Sequence, residues 1–263
     1  MPIYQRQGII PQKRHVVFRN KQGELYHEEL FGTQGFSGTS SLVYHLNPPT
    51  MVKELGKASW ARPEVAIEDN LKALSFMGLD VEPEVDYLQS RKIFFFNDDM
   101  QIGMASPTRS MKEYFFKNAD SDEMLFIHKG SGKCRTMYGT VDFEYGDYLI
   151  IPRGTVYQLD FDSTENKILL VESHSPIRTP KRYRNEFGQL LEHSPFCERD
   201  FKMPYDLETH DEKGEFKIMI KKRGLIYPYV YGTHPFDVAG WDGYSYPYAF
   251  SIFNFEPISG RIH

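Results

Sequence analysis

The chain alternates short apolar runs with breaker residues. Through EMLFIHKGSGKCRTMYGTVDFEYGDYLIIPRGTVYQLDFD and KILLVESH (123–174), Gly, Asp or Pro cuts an apolar run about every ten residues, which predicts an antiparallel sandwich or small barrel. Upstream, KRHVVFRN (13–20), ELYHEELFG (24–32) and SLVYHLNPPT (41–50) read as short strands, the last stopped by Pro48 and Pro49. RKIFFFND (91–98), MQIGMAS (100–106) and SMKEYFFKN (110–118) read the same way, with Asn97-Asp98 suited to a turn. Residues 64–79 carry the strongest helical pattern. Ile67, Leu71, Leu74 and Met77 recur at three to four residues, and Gly78 is a stop. Residues 177–224 are irregular and charged, with a short helix expected at NEFGQLLEH (185–193). The final stretch, rich in aromatics, Gly and Pro, reads as extended chain and loop.

Composition adds bounds. The chain has 263 residues, 40% of them hydrophobic and 25% charged, enough to bury a substantial core in one large domain or two modest ones. Seventeen Tyr, twenty Phe, sixteen Pro and twenty Gly favour strands and turns. A net charge of −5 gives no support for a nucleic-acid or anionic-membrane surface. The two cysteines, Cys134 and Cys197, fit free thiols in a reducing compartment, with one disulfide left open. The N-terminus lacks the apolar core of a signal peptide, and no apolar run reaches bilayer length. The expectation is a cytoplasmic protein without membrane or nucleic-acid partners.

The candidate chemistry lies in the strand-rich middle. Glu123 is followed after six residues by Gly130, and Gly146 after five by Pro152-x-Gly154. These spacings resemble the two motifs of the cupin superfamily, a jelly-roll β-barrel. In that family two histidines precede the glutamate, a third follows the Pro-x-Gly turn, and together they hold a metal. Here Phe116, Lys117, Asn118 and Ala119 stand at the first pair of positions and Tyr157 at the last. Glu123 alone cannot hold a transition metal that needs three protein ligands. The barrel reads as structural, with Tyr157 filling its interior, and no metal ligand is assigned. His128 and His174 read as ordinary strand histidines. The basic segment IRTPKRYR (177–184) and KKRG (221–224) read as solvated or subunit-contacting surface, and Glu186, Glu192 and His193 as a mixed-charge surface. His27 and Glu29 lack a third ligand nearby. No Walker loop, dinucleotide fingerprint, HExxH or GxSxG is present.

Beyond the barrel motifs, YHLNPPT (44–50), YRNEFGQLLEHSPFCERDFKMP (183–204) and HPFDVAGWDGYSYPYAFSIFNFEPISGRIH (234–263) resemble the homogentisate dioxygenases of bacterial type. The resemblance covers nearly the whole chain. It implies an all-β, cupin-like jelly-roll β-barrel with extra N-terminal strands and few short helices. Residues 1–263 would form an N-terminal β-rich domain containing a metal-free barrel at about 91–176, and the iron-bearing C-terminal cupin would be absent from this chain. The activity implied is Fe(II)-dependent ring cleavage of homogentisate with O2 to maleylacetoacetate, in a homotrimer or hexamer. By resemblance His263 lies at or near a catalytic histidine that acts as general base toward the substrate phenol. The Fe(II) ligands have no match in this chain, so these residues alone are expected to be inactive. Two rivals remain: a metal-free cupin serving as a binding or assembly module, and an enzyme whose metal site joins His45, His234 and a carboxylate.

Overall fold

The computed structural model describes residues 3–49, 51–68, 70 and 72–256. Among them nineteen strands and four short 3-10 turns alternate with loops. The N-terminal strands are β1 (Gln5–Gly8), β2 (His27–Gln34), β3 (Ser37–His45), β4 (Val52–Leu55) and β5 (Ser59–Trp60). The middle holds β6 (Lys92–Phe96), β7 (Met100–Ala105), β8 (Phe115–Asn118), β9 (Asp122–Lys129), β10 (Gly132–Thr136), β11 (Gly139–Phe143), β12 (Asp147–Ile151), β13 (Val156–Phe161) and β14 (Lys167–Ser173). The last are β15 (Phe201–Lys202), β16 (Lys213–Lys222), β17 (Leu225–Thr233), β18 (Val238–Gly243) and β19 (Tyr248–Ser251).

These strands form three sheets. One runs β11-β10-β13-β8-β16-β17-β4, with β5 also on β17; a second runs β15-β19-β12-β9-β14-β7-β6; the third is β1-β18-β3-β2. Pairing is antiparallel except between β8 and β16. Successive side chains on a strand face opposite ways, so single strands serve two cores. Phe116, Leu125, Ile127, Leu149, Ile151, Tyr157, Leu159, Ile168 and Leu170 fill the barrel between the two large sheets. Their neighbours Phe115, Ile150 and Val156 turn outward to a second core with Tyr138, Phe236, Trp241, Tyr246 and Tyr248, under the small sheet. The architecture is all-β and cupin-like. Two motif glycines hold corners that only glycine tolerates well: Gly130 has φ 103° and Gly154 φ 86°.

Several expectations need correction. The described residues among 64–77 are not helical, and only Gly78–Asp80 makes a 3-10 turn. Leu71 lies outside the described residues, while Ile67 is 94% and Met77 76% exposed. A short helix needs a packed apolar face, and the described residues at the helical spacing, Ile67, Leu74 and Met77, are exposed. Phe76 instead stacks on Phe94 of β6, 5.6 Å between centroids. NEFGQLLEH is also not a helix. The Asn185 side chain accepts bonds from the Phe187 and Gln189 amides, a local alternative that closes a turn at Gly188. KRHVVFRN forms no strand beyond an isolated Arg19–Leu25 bridge. Conversely, 213–222, read as irregular, is the ten-residue strand β16, and the aromatic end contributes β17, β18 and β19 to the core rather than loop. Both cysteines are free. No helix among the described residues is long and apolar enough to cross a membrane.

Candidate functional site

The barrel interior carries a network of charge. Strand pairing sets Glu172 of β14 directly beside Glu123 of β9, so both carboxylates point into the barrel. Two like charges at directly paired positions repel, and burial removes the water that would screen them. Protein cations resolve this. Arg91, just before β6, reaches between the pair: its guanidinium contacts Glu172 and lies 3.7 Å from Glu123 Oε1. Lys221 of β16 contacts the other Glu172 oxygen and lies 3.4 Å from Gln101 Oε1. The hydroxyl of Tyr157 donates to Glu123 Oε2 at 2.7 Å, and Tyr87 approaches Oε1 at 3.5 Å. Two carboxylates therefore meet two cations in the interior.

The surroundings shape these groups. Burial, then the Glu123 charge, raises the Tyr157 phenol well above its ordinary pKa, so it stays a neutral donor. Burial, and next the neighbouring Arg91 charge, pushes Lys221 down to about 7, against the pull of the Glu123 and Asp120 charges. Phe116 stands opposite Tyr157 and packs edge-on against it, 5.5 Å between ring centroids. Asn118 is buried, and its side-chain oxygen accepts from the Asp120 and Ser121 amides.

A second buried cluster ties the small sheet together. His45, at the end of β3, sits between two carboxylates: Nδ1 lies 2.7 Å from Asp237 and Nε2 3.1 Å from Glu29. Burial alone would lower its pKa, but the hydrogen bonds to Asp237 and Glu29 outweigh it and raise it to about 9. His234 borders the same small cavity of about 50 Å³. Its Nδ1 accepts from the Phe236 amide, and its ring stacks on His210 at 4.0 Å. Burial, then the His210 charge, lowers its pKa to about 4. The fold thus brings His45 and His234 to one cavity, but both nitrogens of His45 already face carboxylates.

Among the described residues no group of three or more His, Cys, Asp and Glu side chains is placed to hold a metal ion. The Glu123 oxygens face Tyr157, Tyr87 and Arg91 instead, so the residues here do not fit an iron site. His263 lies outside the described residues. His128 and His174 are exposed, not lodged in the barrel. Sequence reasoning found Glu123 and Tyr157 but missed Tyr87, Arg91, Glu172 and Lys221. A signal existed for one of them: Glu172 keeps the parity of Ile168 and Leu170, the inward residues of β14.

Fold and interior together define a cupin-like all-β protein whose barrel centre holds an ion-pair network. Residues 11–252 match the family described as homogentisate 1,2-dioxygenase N-terminal. The chain belongs to that family. A Saccharolobus solfataricus protein described as "Putative dioxygenase SSO1533" is 41% identical over 267 residues, covering 100% of this chain and 67% of that protein. The homogentisate 1,2-dioxygenases of Nitrobacter hamburgensis and Bradyrhizobium diazoefficiens are 31% and 27% identical, over 67% and 95% of this chain. The chain spans only 40% and 58% of those two enzymes. A cupin-2 domain protein from Shewanella frigidimarina superposes with a TM-score of 0.29 at 19% identity, covering 32% of this chain and 79% of that one.

Proposed function

We propose that this chain is the N-terminal portion of an aromatic ring-cleaving dioxygenase that opens homogentisate to maleylacetoacetate with O2, in tyrosine and phenylalanine breakdown. The family match over residues 11–252 carries this reading. In it, the barrel at about 91–176 is a scaffold, and Fe(II) is held by residues beyond those described. His263 then serves as general base toward the substrate phenol, and the protein works as a cytoplasmic homotrimer or hexamer. No catalytic step is assigned to the barrel network, because its donors and acceptors are already paired with one another.

The test is expression of the coding region carried past His263, beside the 263-residue chain. The longer polypeptide should take up iron and consume O2 with homogentisate, and the shorter should do neither. Turnover by the 263 residues alone would refute this division of labour. Light scattering tests the assembly, with a monomeric longer polypeptide as the contrary result. A second reading, a metal-free binding or assembly module, is favoured by the self-satisfied ion pairs around Glu123. It predicts no O2 uptake by either polypeptide.

A further inference from the structure

Beside the barrel mouth, at the turn joining β16 to β17, lies a cleft of about 380 Å³ lined by Arg62, His174, Lys221 and Arg223 together with Asp98 and Asp120. The turn is rigidly held. Arg223 and Gly224 have φ of 55° and 72°, and their amides donate to the two oxygens of Asp120 at 2.7 and 3.0 Å. Those bonds occupy the Asp120 carboxylate with backbone. The Ala61 amide donates to the Gly224 carbonyl at 3.0 Å, and β5 pairs with the start of β17. Arg62 is thereby laid along the turn; a Cβ at Gly224 would lie 3.1 Å from that of Arg62.

Among the described residues, neither the Arg62 nor the Arg223 guanidinium has a hydrogen-bond or ion-pair partner. The cleft lining sets the Arg62 and Arg223 guanidiniums beside two carboxylates, of which Asp120 is bound by backbone amides and Asp98 is not. The buried amine of Lys221 closes the cleft on the side of the barrel interior, where it also contacts Glu172. Guanidinium pairs recognise the two-oxygen edge of carboxylates and phosphates.

We propose that this cleft binds a small anion presenting a carboxylate or phosphate group, gripped by Arg62 and Arg223 with Lys221 at its base. An anion seated there shares Lys221 with Glu172, so occupancy reaches the barrel network through one side chain. The proposal does not depend on the dioxygenase reading.

Calorimetric titration of the 263-residue chain tests it, with inorganic phosphate and malonate as separate probes and sodium chloride matched for ionic strength. At least one probe should bind saturably with a Kd of about 1 mM or tighter. The Arg62→Ala/Arg223→Ala double variant should weaken that binding about tenfold or more, as loss of charge-assisted bonds implies, while Lys112→Ala leaves it unchanged. Binding of phosphate alone assigns a phosphate-bearing ligand, and of malonate alone a carboxylate. Both replaced arginines are exposed, and far-UV circular dichroism verifies the variant's fold. No saturable binding of either probe overturns the proposal, as does undiminished binding by the folded double variant.

Discussion

Two groups of charged residues meet at Lys221 and differ in one respect. Inside the barrel, Glu123 and Glu172 are matched by Arg91 and Lys221, and each charge has a partner within the protein. In the cleft outside, Arg62 and Arg223 have none among the described residues. Buried charge that lacks a partner is costly, so the interior closes upon itself. Exposed charge is cheap to leave open, and there a ligand can be met. The same strand, β16, supplies both, which is why the two are neighbours.

The sharpest way to break this contrast is Arg91→Ala. It leaves two buried carboxylates facing each other with Lys221 as the remaining cation of the network, and should cost about 3–5 kcal/mol of stability in chemical denaturation. A loss below about 1 kcal/mol would mean the interior tolerates unpaired charge. The His45 cluster comes next, and its effect depends on pH. Its folded pKa, about 9, exceeds the ordinary 6.5. The imidazolium therefore stabilises the fold fully below pH 6.5, progressively less as pH rises, and not at all above about 9. The integrated contribution is on the order of 3 kcal/mol. Melting curves of wild type and His45→Gln should differ most at pH 6 and converge near pH 10. Curves that stay parallel would show that the ring is neutral in the fold.

Tyr157→Phe is a smaller change. The ring contact with Phe116 is kept and only the bond to Glu123 is lost, at a cost of about 1–2 kcal/mol. At the other extreme, Arg62→Ala and Arg223→Ala should each shift stability by no more than about 0.5 kcal/mol, since neither arginine is paired. A large loss from either would move the cleft arginines to the structural side of the comparison.

The sequence made the middle of the fold readable because period-two patterning and corner glycines act locally. Gly130, Gly146, Pro152 and Gly154 mark the turns, and the strands between them follow. It made the ends harder. Ile67, Leu74 and Met77 keep helical spacing, yet among the described residues all three stay exposed, and spacing without a surface to bury it does not make a helix. β16 was hidden because Lys217, Lys221 and Lys222 obscure Ile218 and Ile220, which pack into the second core. The site was legible only in part for a related reason. Glu123 and Tyr157 announced themselves by their motif positions. Arg91, just before β6, and Lys221, on β16, stand away from them in sequence, and only the sheet order brings them to the same carboxylates.

The account rests most heavily on the barrel centre being occupied by the protein's own cations. Anaerobic dialysis of the 263-residue chain against Fe(II), followed by metal analysis and thermal melting, tests this directly. The account predicts only trace iron and an unchanged melting temperature, in wild type and Glu123→Gln alike. Stoichiometric iron that raises the melting temperature and is lost in Glu123→Gln would contradict it.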